Sequence, residues 1–372
     1  MKFLLLISFL IIISKSAPID FFTSKETDIS KITAQNYFFK FGTVQYNIVK
    51  ALTCGGLGCP FIVEDNNKAK KIMKLSAKGG QISGVDFSTR KLAQDVKELQ
   101  NSKENAVKCP TVLKLREALA YRDLDLEVDG VKAFAMLLDY VDGKNLIDAF
   151  YNPVTPPSKL DIAKAIQDII EGVECIHTVY KRYHIDLKPA NIMYDTTAKK
   201  AIVIDIDALV SEADIKDQEL DVAITGLYVP VQDALTFDSM KIADKNDLNK
   251  GFDELYKFYD EFTVGEVICR LLLESIAAKK PDHGIDGETK KFLKSQKKKN
   301  AKKMMFTQKT LRNEWIAEYD KCKELSKNGV TKIFPETDLK VVQGIVTGLL
   351  DPTPKTRMSL SVASQQIKTI IK

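Results

Sequence analysis

A histidine, an aspartate, a lysine and an asparagine stand together in His184-Ile-Asp186-Leu-Lys188-Pro-Ala-Asn191. A carboxylate can accept the proton of a hydroxyl, an ammonium can steady a developing negative charge, and a carboxamide oxygen can ligate a hard metal ion. Asp186 and Asn191 are five positions apart with Lys188 between them, close enough for one rigid loop to present all three. Other candidates are scattered along the chain. Asp205 and Asp207 close the apolar run that begins at Ala201, Lys71 and Lys74 bracket Ile72-Met73, and Gly55-Gly56-Leu57-Gly58 is open enough for backbone N–H groups to approach an anion.

These residues need elements to hold them. DIAKAIQDIIEGVECIHTVY precedes the loop and has helical spacing; NIMYD and AIVIDI follow it as two short strands. Earlier, NIVKAL, FIVED and KKIMKL read as strands separated by Gly-rich and Asp-Asn-Asn turns. Leu92, Val96 and Leu99 share a face of a helix in STRKLAQDVKELQ, and TVLKLREAL and VKAFAMLLDYV read as two further strands. After Gly143 the texture is helical almost to the end. Five strands and a helix followed by a mostly helical part predict a two-domain α+β chain.

In order and spacing, the motifs resemble those of eukaryotic protein kinases of the Ser/Thr branch. The segment 184–191 is similar to the H-R-D-L-K-P-x-N catalytic loop, and Ala201–Asp207 to the strand leading into D-F-G. Lys71-Ile-Met-Lys74 is similar to V-A-I-K, Leu137–Val141 to the hinge, Asp260–Gly265 to D-x-W-S-x-G, and Leu349–Arg357 to L-L-x-x-D-P-x-x-R. The resemblance runs from about Tyr46 to the last residues. It implies a bilobal kinase fold, with a small β-rich lobe at 41–139 and a larger helical lobe at 140–372. It also implies ATP and Mg²⁺ or Mn²⁺ as cofactors, and Ser/Thr hydroxyls of proteins as acceptors. Asp186 would be the catalytic base and Lys188 would steady the γ-phosphate, while Asn191 and Asp205 would hold metal. Gly56 and Gly58 would form the phosphate loop, and Lys74 would meet the α/β-phosphates. Val63, Met193 and the backbone of Asp139 and Val141 would surround adenine, with Leu138 as gatekeeper. Glu98, or Asp95 with better helical register, would pair Lys74.

Several positions depart from that pattern. Phe61 stands for the third loop glycine, Pro60 removes a donor, and Ile72 replaces a small Ala. Ile185 replaces the loop Arg, so control by activation-loop phosphorylation is not expected. Asp207 replaces Gly, and Thr225–Val231 has no Glu to pair with Arg357. The losses fall on regulation and substrate docking, whereas the phosphate, metal and nucleophile groups remain. A kinase is therefore the first reading, and a nucleotide- or protein-binding pseudokinase scaffold the second.

Composition and the N-terminus bound the setting. Hydrophobic content of 45% and charged content of 28% are globular values, and a formal charge of +5 over 372 residues does not call for nucleic acid. Three His and six scattered Cys without a CxxC pair exclude a multi-zinc protein. Lys2 followed by the apolar run from Phe3 to Ile13, with Ser14 and Ser16 behind it, predicts a signal peptide over 1–16. Residues 17–40 read as an extension, and no later run is long enough to span a membrane. Secretion makes disulfides possible: Cys54 and Cys59 suit a stapled hairpin tip. Cys175 and Cys269 read as buried thiols, and Cys109 and Cys322 stay open. The Lys-rich stretch Lys279–Lys303 reads as a solvated insertion or an anionic-partner dock.

Overall fold

The computed structural model describes residues 19–20, 28–32, 37–54, 58–78, 81–82, 96–98, 109–119, 127–128, 131–132, 135–151, 157–206, 209–211, 259–279, 334, 336–351 and 356–371. The fold is mixed α+β, sheet-rich towards the N-terminus and helix-rich towards the C-terminus. It divides into two units: Met1–Arg90 with Arg116–Tyr140, and Lys91–Leu115 with Val141–Lys372.

In the first unit the strands are β1 (Ile19–Asp20), β2 (Tyr37–Phe41), β3 (Val44–Ala51), β4 (Gly58–Glu64), β5 (Lys70–Lys78), β6 (Gln81–Ile82), β7 (Leu115–Leu119), β8 (Glu127–Val128), β9 (Val131–Lys132) and β10 (Ala135–Asp139). The main sheet runs β1-β2-β3-β4-β5-β10-β7, with β6 paired to β5; β8 and β9 pair separately. Sharp turns make the meander. Gly42 has φ +60° between β2 and β3, and Asp65 accepts from Asn67 and Ala69 N–H at 2.8 and 2.9 Å between β4 and β5.

Alternation then decides which side chain goes inward. Cys59, Phe61 and Val63 on β4, Met73 and Leu75 on β5, and Ala135 and Leu137 on β10 fill one face, with Phe39, Phe41 and Ile48 packed against them. Cross-strand pairing enforces this, because Phe61 and Leu137 both stand opposite Met73. Cys54 and Cys59 are disulfide-bonded, as their spacing predicts.

The second unit is built on α2 (Lys159–Thr178), which follows the short α1 (Leu146–Tyr151). Ser158 and Asp161 close a reciprocal capping box at its start. Ile162, Ile166, Ile169, Ile170 and Val173 give it the buried stripe that the 3.6-residue period predicts. Among the described residues the unit has three more helices: α3 (Tyr259–Lys279), α4 (Glu336–Leu349) and α5 (Leu360–Ile371). Lys159–Asp338 at 2.5 Å and Lys368–Glu171 at 2.9 Å tie α2 to α4 and α5. A small sheet of β11 (Gly143–Asn145), β12 (Ile192–Asp195) and β13 (Lys200–Val203) lies in order β11-β12-β13. A Cβ on Gly143 would come within 2.0 Å of Tyr194 O, so only glycine admits the β11–β12 pairing.

Expectations for one strand and two cysteines change. TVLKLREAL is not one strand: only Leu115–Leu119 is, while Thr111–Leu113 bonds to Val203 in the helix-rich unit. Cys175 is not a thiol, because it is disulfide-bonded to Cys109, 66 residues away. Cys269 is disulfide-bonded too. An apolar helical context shows that a cysteine is buried but not what it meets.

Candidate functional site

The loop 184–191 is held from beneath by a carboxylate. Asp260, the second residue of α3, is fully buried. Its Oδ2 accepts His184 N–H at 2.7 Å and its Oδ1 accepts Ile185 N–H at 2.8 Å. His177, near the end of α2, places Nε2 2.8 Å from the same Oδ2. Burial pulls the His177 imidazole down, but the Asp260 carboxylate outweighs it and leaves the pKa above its ordinary value. Burial likewise raises Asp260, and His177 and the His184 N–H bring it below the usual carboxylate range. Next to it, burial pushes Glu261 up to about 7, so the two neighbouring acids do not ionise together below neutrality.

This clamp holds a strained backbone. Ile185 has φ +51°, a left-handed conformation that a β-branched residue rarely adopts. Strain of this kind persists only where surrounding contacts over-determine it. Beyond Ile185, Asp186 N–H donates to His184 O at 2.6 Å, and Lys188 Nζ lies 2.5 Å from Asp186 Oδ2. Pro189–Asn191 forms a 3₁₀ turn closed by Asn191 N–H to Lys188 O at 2.8 Å. Asn191 Nδ2 donates to Asp186 O at 2.9 Å, which commits the amide's nitrogen to the loop and turns its oxygen the other way.

The small sheet brings Asp205 to this loop. Ile192 pairs with Val203, and Ile204 N–H donates to Asn191 O at 2.9 Å. The register therefore sets Asn191 opposite Ile204, one residue before Asp205. His184 Nε2 donates to Ile204 O at 3.0 Å, adding a second tie between loop and strand end. Asp205 itself has φ +64°. Asp186, Lys188, Asn191 and Asp205 are thus gathered within one unit. Among the described residues no group of three or more His, Cys, Asp or Glu side chains is disposed to hold a metal. Carboxamide and carboxylate oxygens, the donor types that Asn191 and Asp205 carry, are those that hard divalent ions take.

In the sheet-rich unit Lys74 occupies the face opposite the core. Ile62 and Leu138 both stand opposite Ile72, and Pro60 and Met136 both stand opposite Lys74. Opposed residues share a face, so an apolar row of Ile62, Ile72 and Leu138 lies one row from Lys74 and two from Gly58. A Cβ on Gly58 would stand 2.7 Å from the backbone oxygen of Leu75, which requires glycine there, and 3.2 Å from Lys74 Cε, close enough to push the lysine stem aside. Val63 is not on this face; its side chain has no exposure and belongs to the core cluster. Ile62, its neighbour, is on the Lys74 face instead.

No protein-family model matches the chain, and no curated protein matches it.

The remaining expected site residues fall as follows. Asp139 turns its carboxylate to Lys71 Nζ at 2.7 Å and to Arg116 Nε and Nη2 at 2.7 and 2.8 Å. Burial raises that carboxyl, and the two cations bring it below the usual range. Val141 O accepts Gly143 N–H at 3.0 Å. Met193 sits in β12, half-buried, opposite Ile202 and Asn145. Glu98 is exposed on a helical turn at 96–98. Gly56, Asp95, Asp207, Thr225–Val231, Cys322 and 280–303 lie outside the described residues, as does the segment 1–18. Arg357 lies 5.1 Å from the Phe262 ring centroid and donates from Nε to Asp351 O at 2.8 Å, contacts that the absence of a partner Glu did not reveal. Sequence reasoning also missed His177, whose only signal was its place at the end of the apolar helix.

Proposed function

We propose that the chain is a protein kinase that transfers the γ-phosphate of ATP to Ser or Thr hydroxyls of proteins. The observation that carries this reading is the gathering of Asp186, Lys188, Asn191 and Asp205 by one clamped loop and one strand register. Asp186 accepts the hydroxyl proton, and Lys188, beside it, meets the charge that develops on the transferred group. Asn191 and Asp205 would hold Mg²⁺ or Mn²⁺, whose charge offsets that of the phosphates. On the sheet, Lys74 supplies a cation for the phosphates beside Gly58, and the row of Ile62, Ile72 and Leu138 gives an apolar platform for the base. The reading includes export. The predicted leader over 1–16 and the disulfides at Cys54–Cys59, Cys109–Cys175 and Cys269 suit an oxidising compartment. The Lys-rich stretch Lys279–Lys303 would then serve an anionic partner.

One observation favours a second reading, a nucleotide- or protein-binding scaffold. Ile62 and Ile72 stand directly opposite each other on the Lys74 face, which is bulky for a site that must seat a base. The two readings separate on incubating the chain from Ala17 onward with ATP, Mg²⁺ or Mn²⁺ and a generic basic protein. Phosphate gained in intact mass supports the kinase. Neither phosphate nor thermal stabilisation by metal–ATP would sink it.

A further inference from the structure

We propose that the Cys109–Cys175 disulfide is a positioning device for the acidic end of β13, holding Asp205 in place while it is oxidised. The mechanical link stands on contacts alone; its consequence for metal binding rests on the kinase reading above.

The link can be followed residue by residue. Cys175 lies in the last turn of α2, and the bond fixes Cys109 against it. Two residues further on, Thr111 O accepts Val203 N–H at 2.8 Å, and Leu113 N–H donates to Val203 O at 2.9 Å. Val112 and Val203 form a parallel bridge, so the segment acts as an added strand fragment beside β13. Beneath them a Cβ on Gly172 would stand 2.8 Å from Val203 Cγ2 and 3.2 Å from Thr111 O. Helix, segment and strand are therefore packed as closely as a glycine permits. The residues immediately after Val203 are the ones at issue. Ile204 bonds to Asn191 and His184, and Asp205 carries φ +64°.

Such a conformation is kept only by its surroundings. Two backbone hydrogen bonds return less free energy than ordering the five residues 109–113 loses, so the fragment needs its buried Val112 and Leu113 and its covalent tether. Reduction would remove the tether by thiol–disulfide exchange. One thiolate of a dithiol attacks one cysteine sulfur, the S–S bond breaks and the other cysteine leaves as a thiolate; the second thiol then attacks the mixed disulfide and displaces the first cysteine. Two electrons and two protons pass to Cys109 and Cys175, and the dithiol leaves as a disulfide. Cys109 and Cys175 are 2% and 7% exposed, so the exchange proceeds through local opening of the 109–113 segment. Cys54–Cys59 joins residues flanking the start of β4 in the other unit and serves as an internal control.

Hydrogen exchange read by mass spectrometry on the full chain tests this, with Cys109→Ser/Cys175→Ser against Cys54→Ser/Cys59→Ser. Exchange over 201–206 is expected to accelerate at least about tenfold in the first pair and to stay at the wild-type rate in the second. A wild-type rate over 201–206 in the first pair overturns the proposal. Should that pair not fold, the wild type is titrated with a dithiol under native conditions. Protection over 201–206 should then fall in step with reduction and return on reoxidation; protection that survives full reduction overturns the link. Mn²⁺–ATP binding, measured alongside, separates the two claims. Faster exchange with unchanged binding overturns the positioning of Asp205 and leaves the kinase reading intact. A wild type that binds no Mn²⁺–ATP instead overturns the kinase reading, and the link is then judged on exchange alone.

Discussion

The loop at 184–191 and the Lys74 face of the sheet carry the chemistry-bearing groups of the two units, and they are held by different means. The loop is over-determined: Asp260 takes two of its N–H groups, His177 braces Asp260, and His184 and Asn191 tie it to the strand end before Asp205. Lys74 is placed by strand pleat and by the space beside Gly58, with a core on the far side of the sheet. A device held by many polar contacts tolerates little change at any of them. One held by strand parity tolerates change wherever the alternation survives.

The sharpest way to break the contrast is Asp260→Ala. It leaves His177 and two loop N–H groups buried without their acceptor, and is expected to destabilise by about 3–5 kcal/mol in urea denaturation. Gly58→Ala acts on the other region. Its methyl would meet Leu75 O at 2.7 Å, and the strain is expected to lower stability by about 1–3 kcal/mol while displacing Lys74. Exchange protection of the loop should not change with it; a loss there would contradict the separate holding of the two regions.

Two smaller effects concern pH. The folded pKa of His177 lies above its ordinary 6.5, so its contribution is fully present below about that pH. It is lost as pH rises through the raised folded value. Urea midpoints measured from acid to alkaline pH should show this decline, and His177→Gln should flatten it. On the sheet the sign is reversed: Asp139 is lowered from 3.8, so its pairing contributes above that value and fades as pH falls through the folded pKa. Arg116 is half-exposed, and Arg116→Ala is expected to cost about 1 kcal/mol or less.

What the sequence showed and what it hid divide along the same line. The strands, the long helix and the loop were legible because each rests on local periodicity or on spacing within a few residues. Motif spacing counts residues from the glycines and could not show that Val63 belongs to the core, whereas pairing with β5 fixes which of Ile62 and Val63 points inward. The carboxylate of Asp139 was read only for its backbone, since its partners Lys71 and Arg116 lie 68 and 23 residues away. Cys109 and Cys175 were beyond reach for the same reason. Positive φ at Ile185 could not be foreseen from a residue type that disfavours it, and Asp205, whose type tolerates it, carried no local signal that it would adopt it.

The most direct test of the account is Asp186→Asn, with metal–ATP binding and phosphate transfer measured on the same preparation. Asn keeps the size of the side chain and removes the carboxylate proposed as the base. Binding within about threefold of wild type is expected, with transfer reduced by two or more powers of ten, the scale of a lost general base. Transfer that persists at the wild-type rate would contradict it.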